Sequence, residues 1–199
     1  MNKFLLVGII ALIGLAAACS STTQPTANTT NTATKSAENT ATAPKKDDET
    51  PAAIKAVFAD AESITKQHKD IQKDAIAGIE KDSGAKIPAT DHHSYLAFKS
   101  ESGTRKQIGA ATMVKADGKD AVIIYENKDG SPYLKEVKID GVAADFLKQF
   151  SGKGHDDKLQ IGQDLKANGV DEKTAKAITE AVKVDVLTMQ ALYGKAHSH

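Results

Sequence analysis

The stretch KQIGAATMVKADGKDAVIIYENKDG, Lys106 to Gly130, decides the fold. Asp117-Gly118 lies between two apolar runs, and an Asp-Gly pair in that position favours the two-residue turn of a β-hairpin. Val122, Ile123, Ile124 and Tyr125 are β-branched or aromatic, which suits a buried strand. The centre of the domain is therefore antiparallel sheet.

The segments on either side extend that sheet. HHSYLAFKS, His92 to Ser100, reads as a preceding strand, and YLKEVKID, Tyr133 to Asp140, as a following one with Leu134, Val137 and Ile139 apolar. Beyond it, GVAADFLKQFSGKG predicts a short amphipathic helix with Phe146, Leu147 and Phe150 inward and Gly152 closing it. Before the sheet, PAAIKAVFADAESI places Ile54, Val57, Phe58 and Ala61 on one helical face, with Pro51 in the first turn. DIQKDAIAGIEKDSG repeats the pattern, with Asp70 as N-cap, a stripe of Ile71, Ala75 and Ile79, and Ser83-Gly84 as the stop. A last helix starts near Asp171, its stripe formed by Ala175, Ile178, Val182, Val186, Met189 and Leu192, and ends at Gly194. The expected fold is α+β: a mainly antiparallel sheet with N-terminal and C-terminal helices packed on it.

The chain begins MNKFLLVGIIALIGLAAACSS. Lys3 precedes an apolar core from Phe4 to Leu15, and small residues lead into Cys19. This is the layout of a secretory signal rather than a membrane span. The run into Cys19 resembles a bacterial lipobox, with Leu15 one place further from the cysteine than usual. That resemblance implies a signal peptide over residues 1–18, lipidation of Cys19 and a protein anchored to the membrane through the lipid. Ser20 rather than Asp after Cys19 favours the outer membrane, facing the periplasm, by resemblance to enterobacterial lipoproteins. Cys19 is the single cysteine, which excludes an intramolecular disulfide and a cysteine metal site.

Residues 19–51 are Thr, Ala, Asn and Ser with almost nothing large and apolar, the composition of a disordered linker. A tether of that length would hold the domain about 30 Å from the bilayer. The folded domain is expected over residues 52–194, followed by a tail over 195–199. With 26 Lys plus Arg against 26 Asp plus Glu, no Trp and 5% aromatic residues, the chain lacks the basic, aromatic surface of a nucleic-acid partner.

FLKQFSGK, Phe146 to Lys153, is followed by TAKAITEAVK, Thr174 to Lys183; VFADAESI precedes both, and the hairpin IGAATMVKADGKDAVIIY lies between. Together these segments are similar to the bacterial FMN-binding domain family, which includes the flavin-carrying subunits of the sodium-pumping NADH:quinone reductase and of the Rnf complex. The resemblance covers most of residues 54–192. It implies a flavoprotein in electron transport, with an envelope redox partner or a role in assembly. In that family a Ser-Gly-Ala-Thr segment before the last helix carries FMN on its threonine. The matching positions here are Gly169, Val170, Asp171 and Glu172, with Thr174 the nearest hydroxyl. Neither Asp171 nor Glu172 can form that phosphoester, and both would occupy the amides and field of the helix N-terminus. The resemblance thus implies noncovalent FMN if any, at a degenerate attachment segment. The alternatives are a structural or ligand-binding lipoprotein without flavin, or a histidine-dependent metal-binding protein.

Six histidines bear on the last alternative: His68, His92, His93, His155, His197 and His199. Neighbours on a strand point to opposite faces, so Asp91, His92 and Ser94 do not form a triad by adjacency. Gly154 to Asp157 could offer His155 and a carboxylate to one ion, but no pair has helical ligand spacing, and the expectation is solvated surface histidines with no metal. There is no G-x-S-x-G and no phosphate-binding glycine loop. No catalytic residue, and no independent catalytic activity, is expected.

Overall fold

The computed structural model describes residues 49–195; the lipobox-like segment, Cys19 and the tail histidines lie outside them. Five strands form one antiparallel sheet in chain order: β1 Ser63–Asp70, β2 Asp91–Glu101, β3 Thr104–Ala116, β4 Lys119–Lys128 and β5 Ser131–Ile139. Among the described residues four α-helices accompany them, α1 Ala52–Val57, α2 Lys73–Ser83, α3 Ala144–Leu147 and α4 Glu172–Tyr193, and a 3-10 turn Lys148–Phe150 follows α3. The α+β class is as the sequence predicts. Among the described residues no helix is long and apolar enough to cross a membrane.

The β3–β4 turn is Asp117-Gly118, and both residues adopt positive φ, 50° and 75°. That conformation matches the right-handed twist of the strands it joins. Ser102-Gly103 and Asp129-Gly130 repeat the device at the β2–β3 and β4–β5 turns. Both faces of β4 are buried: Ala121, Ile123 and Tyr125 face α3 and α4, whereas Val122 and Ile124 face Ile54 and Phe58 of the α1 segment. On β5, Leu134 and Val137 share a face despite a spacing of three. Lys135 is the extra residue of a bulge, since Tyr125 pairs with Leu134 and Ile124 with Glu136.

The larger core joins the sheet to Phe146, Leu147, Phe150 and the stripe of α4. Phe146 and Phe150 are fully buried and meet edge to face, with centroids 5.4 Å apart. Of the predicted stripe, Ala175, Ile178, Val182, Val186 and Met189 are buried and Leu192 is half-buried.

Two expectations fail near the N-terminus. The first helix stops at Val57, and Ser63–Asp70, whose beginning the helical reading had absorbed, is strand β1. Phe58 and Ala61 still join the apolar cluster under the sheet, though not as helical residues. Asp70 caps nothing, because it ends β1; α2 begins after Gln72, with no side-chain cap. β1 escapes hydrophobic pattern because it is an edge strand, with Ile64 its one large apolar residue among Thr, Lys, Gln, His and Asp. The helix α2 packs against α4.

Candidate functional site

The segment Gly169 to Thr174, which the resemblance matches to a flavin-attachment motif, can be placed residue by residue. Asp171 is the N-cap of α4: its Oδ1 accepts from Thr174 N–H at 3.0 Å. That bond holds the exposed carboxyl below its usual range. Glu172 opens the helix and pairs with Lys176 at 2.6 Å, which lowers its carboxyl as well. Thr174 lies within the helix, and its hydroxyl donates to Asp117 Oδ2 at 2.9 Å. Gly169 turns with φ 71°, and Val170 packs at the edge of the core. At this terminus the amide that a phosphate would use is already engaged by a carboxylate, with Glu172 and Asp117 close by.

The larger opportunity lies further along α4. The β2–β3 ladder ends at the pair Ser94–Thr112. Upstream of Ser94, β2 continues back to Asp91 paired only with β1; downstream of Thr112, β3 continues to Ala116 paired with β4. The sheet therefore parts between residues 91–93 and 113–115. A cavity of about 540 Å³ lies in the gap, bounded also by α4 from Ala177 to Thr188 and by the loop from Ala85 to Ala89. Ile71, Ile87, Pro88, Met113 and Val184 give it an apolar lining.

Asp185 and Thr188 are buried polar residues of this cleft, and His92, 11% exposed, stands beside Asp185. Asp185 is 3% exposed, yet its carboxylate is well satisfied. Thr112 and Tyr125 hydroxyls donate to Oδ2 at 2.5 and 2.6 Å, and His92 Nε2 lies 2.9 Å from Oδ1. A carboxylate can only accept, so the proton of the imidazole sits on Nε2. Nδ1 is then a buried ring nitrogen, an acceptor in the neutral imidazole, with no hydrogen-bond partner among the described residues. Burial, reinforced by the Asp185 charge, pushes the Tyr125 phenol well above its ordinary value, so it remains a donor.

Three further contacts fix the end of α4. Ser94 Oγ and Tyr193 OH are 2.7 Å apart, while Lys69 donates to the Leu192 carbonyl at 3.0 Å and lies over the Tyr193 ring. A cation at the carbonyl end of a helix is favourably placed. His92 and Ser94 thus share the α4 side of the sheet, and Asp91, on the opposite face, is not part of any triad with them.

The other histidines divide. His68 and His93 are cross-strand neighbours, with Asp91 close to both. Partial burial and the charges of Lys66 and His68 lower His93. His155 Nε2 is 3.0 Å from Asp156, but Asp157 is turned towards Gly154 N–H and Lys153, so the Gly154–Asp157 run does not gather its groups on one point.

Sequence reasoning missed Asp185. The signal was present: the residue lies seven after Ile178 and directly before Val186, within the apolar stripe of α4, where an acid must be buried or the stripe broken. The chain matches no protein-family model, no curated protein and no solved structure.

Proposed function

We propose that this chain is a membrane-anchored cell-envelope lipoprotein whose domain binds a small ligand in the cleft between β2, β3 and α4. The observation that carries the binding reading is the orphaned His92 Nδ1 at a cavity of about 540 Å³. That volume lies in the range of small-molecule sites, about 300–1,000 Å³, and an apolar lining with few convergent polar groups is their usual make-up. The ligand that fits has an apolar body and an N–H or O–H group to donate to His92. The anchor rests on the run into Cys19 and the outer-membrane, periplasm-facing location on Ser20.

Noncovalent FMN is the first ligand to try. Flavin-linked electron transfer, or its assembly with an envelope redox partner, rests on the family resemblance. Asp117 both borders the cleft and accepts from Thr174, so the matched segment adjoins it. A flavin held here would keep its phosphate away from Asp171, Glu172 and Asp117, and no covalent attachment is proposed.

Protein isolated from its own cells and examined by native mass spectrometry and visible absorption tests the binding reading. A retained small molecule is expected, and Ala181→Phe, which places a ring in the cleft, should release it. A flavin spectrum would identify the ligand as flavin; a different retained mass would leave binding and remove flavin. A bare chain that also fails to bind added FMN overturns the reading. Cys19→Ser should release the protein from membranes, and unchanged fractionation would refute the anchor.

A further inference from the structure

Strand register assembles a second cluster on the face of β1–β2 opposite His92. His68 stands across from His93, and Asp70 across from Asp91. Side chains alternate along a strand, so all four project to one face, while Lys69 and His92 project to the other. His68 Nδ1 is 2.8 Å from His93 Nε2 and 3.9 Å from Asp91 Oδ2, and Asp91 Oδ2 is 3.8 Å from His93 Nδ1. His68 turns its remaining nitrogen, Nε2, towards Asp70 Oδ1 at 3.7 Å.

We propose that His68, His93 and Asp91 form a binding site for a divalent transition-metal ion of the zinc class, with Asp70 orienting the His68 ring. One ligand atom from each of the three residues lies within 4.8 Å of the others. Tetrahedral zinc with bonds of about 2.0–2.1 Å separates its ligands by about 3.3 Å. Small side-chain rotations from the observed spacing reach that arrangement. The donor set carries two imidazoles, which suit zinc, copper and nickel rather than magnesium or calcium. A ligating imidazole whose second nitrogen faces a carboxylate is the usual second layer of such sites, and Asp70 stands in that position. The three ligands are 56%, 43% and 41% exposed, so a bound ion would keep water in its fourth position. The ladder of an antiparallel pair holds the site without helical ligand spacing, and Asp91 and His93 also border the cleft.

Zinc titration of the full chain by calorimetry, at neutral pH with excess magnesium present, tests the proposal. His197 and His199 also offer imidazoles, so the measurement is made on a His197→Gln/His199→Gln background. One zinc per chain is expected there, with a zinc-dependent rise in Tm. His68→Gln and His93→Gln should each abolish both signals, and Asp70→Asn should weaken binding about 10–100-fold. The substituted residues are exposed, and an unchanged circular dichroism spectrum confirms the fold. Loss of binding on altering the tail alone, or full binding in both His68→Gln and His93→Gln, overturns the proposal.

Discussion

Asp171 and Asp185 are two acids on one helix with opposite circumstances. Asp171 is exposed at the start of α4 and accepts one backbone N–H. Asp185 is buried in the middle and accepts from Thr112, Tyr125 and His92, which come from three different strands. The first bond is local and could form in an isolated helix. The second set exists only when β2, β3, β4 and α4 are already together. A charge in water needs few partners, but a buried charge needs nearly all its lone pairs filled. Asp185 therefore fixes where α4 sits on the sheet, while Asp171 fixes only where α4 begins.

Substituting Asp185 should have the largest effect. Asp185→Ala leaves two hydroxyls and an imidazole buried without their acceptor and should cost about 3–5 kcal/mol in urea unfolding. Phe150→Ala, which removes a fully buried ring from the same core, should cost about 3–5 kcal/mol and provides an apolar reference. If Asp185→Ala loses less than about 1 kcal/mol, the contrast between the two acids collapses. Tyr125→Phe removes one of three donors and should cost about 1.5–3 kcal/mol. In the Asp185→Ala background most of that loss should vanish, since the acceptor is already gone. Asp171→Ala should lower Tm by only about 2–4 °C, with Asp171→Asn closer to wild type. An unchanged Tm in Asp171→Ala would mean that the cap contributes nothing.

Acid titration sharpens the contrast at its small end. The Asp171 carboxyl is held below its unfolded value by the Thr174 N–H. Its contribution is complete above the unfolded pKa, about 3.9, and is lost as pH falls through the lower folded value. The Tm difference between wild type and Asp171→Ala should thus be constant from neutral pH to about pH 5 and should close below about pH 4. A difference that persists in stronger acid would show that the side chain does not act as a carboxylate cap.

Local chemistry was legible in the sequence and register was not. Asp117-Gly118 announced a hairpin because a two-residue turn needs positive φ, and Ser102-Gly103 and Asp129-Gly130 carry the same kind of signal. The Asp171 cap and the inward faces of Phe146 and Phe150 were legible because each follows from residues within one turn of helix. β1 was not, because an edge strand is protected by polar residues that erase its pattern. Neither polar cluster was legible as a site. His68 meets His93 only once the pairing of β1 with β2 is known, and His92 meets Asp185 only once α4 is laid over β2.

The sheet is complete in sequence by Ile139, but much of the cover of its larger apolar face begins at Glu172 and is the last element described. Order of synthesis therefore matters. Until α4 emerges, a growing chain can pair all five strands while Ile123, Tyr125 and Leu134 lack their helical partner. During that interval the chain is a sheet with one face only partly covered, a form prone to stick to its neighbours. The connecting segment from Ser151 to Val170 sets how long the interval lasts, which gives a loop with little regular structure a role in time rather than in shape.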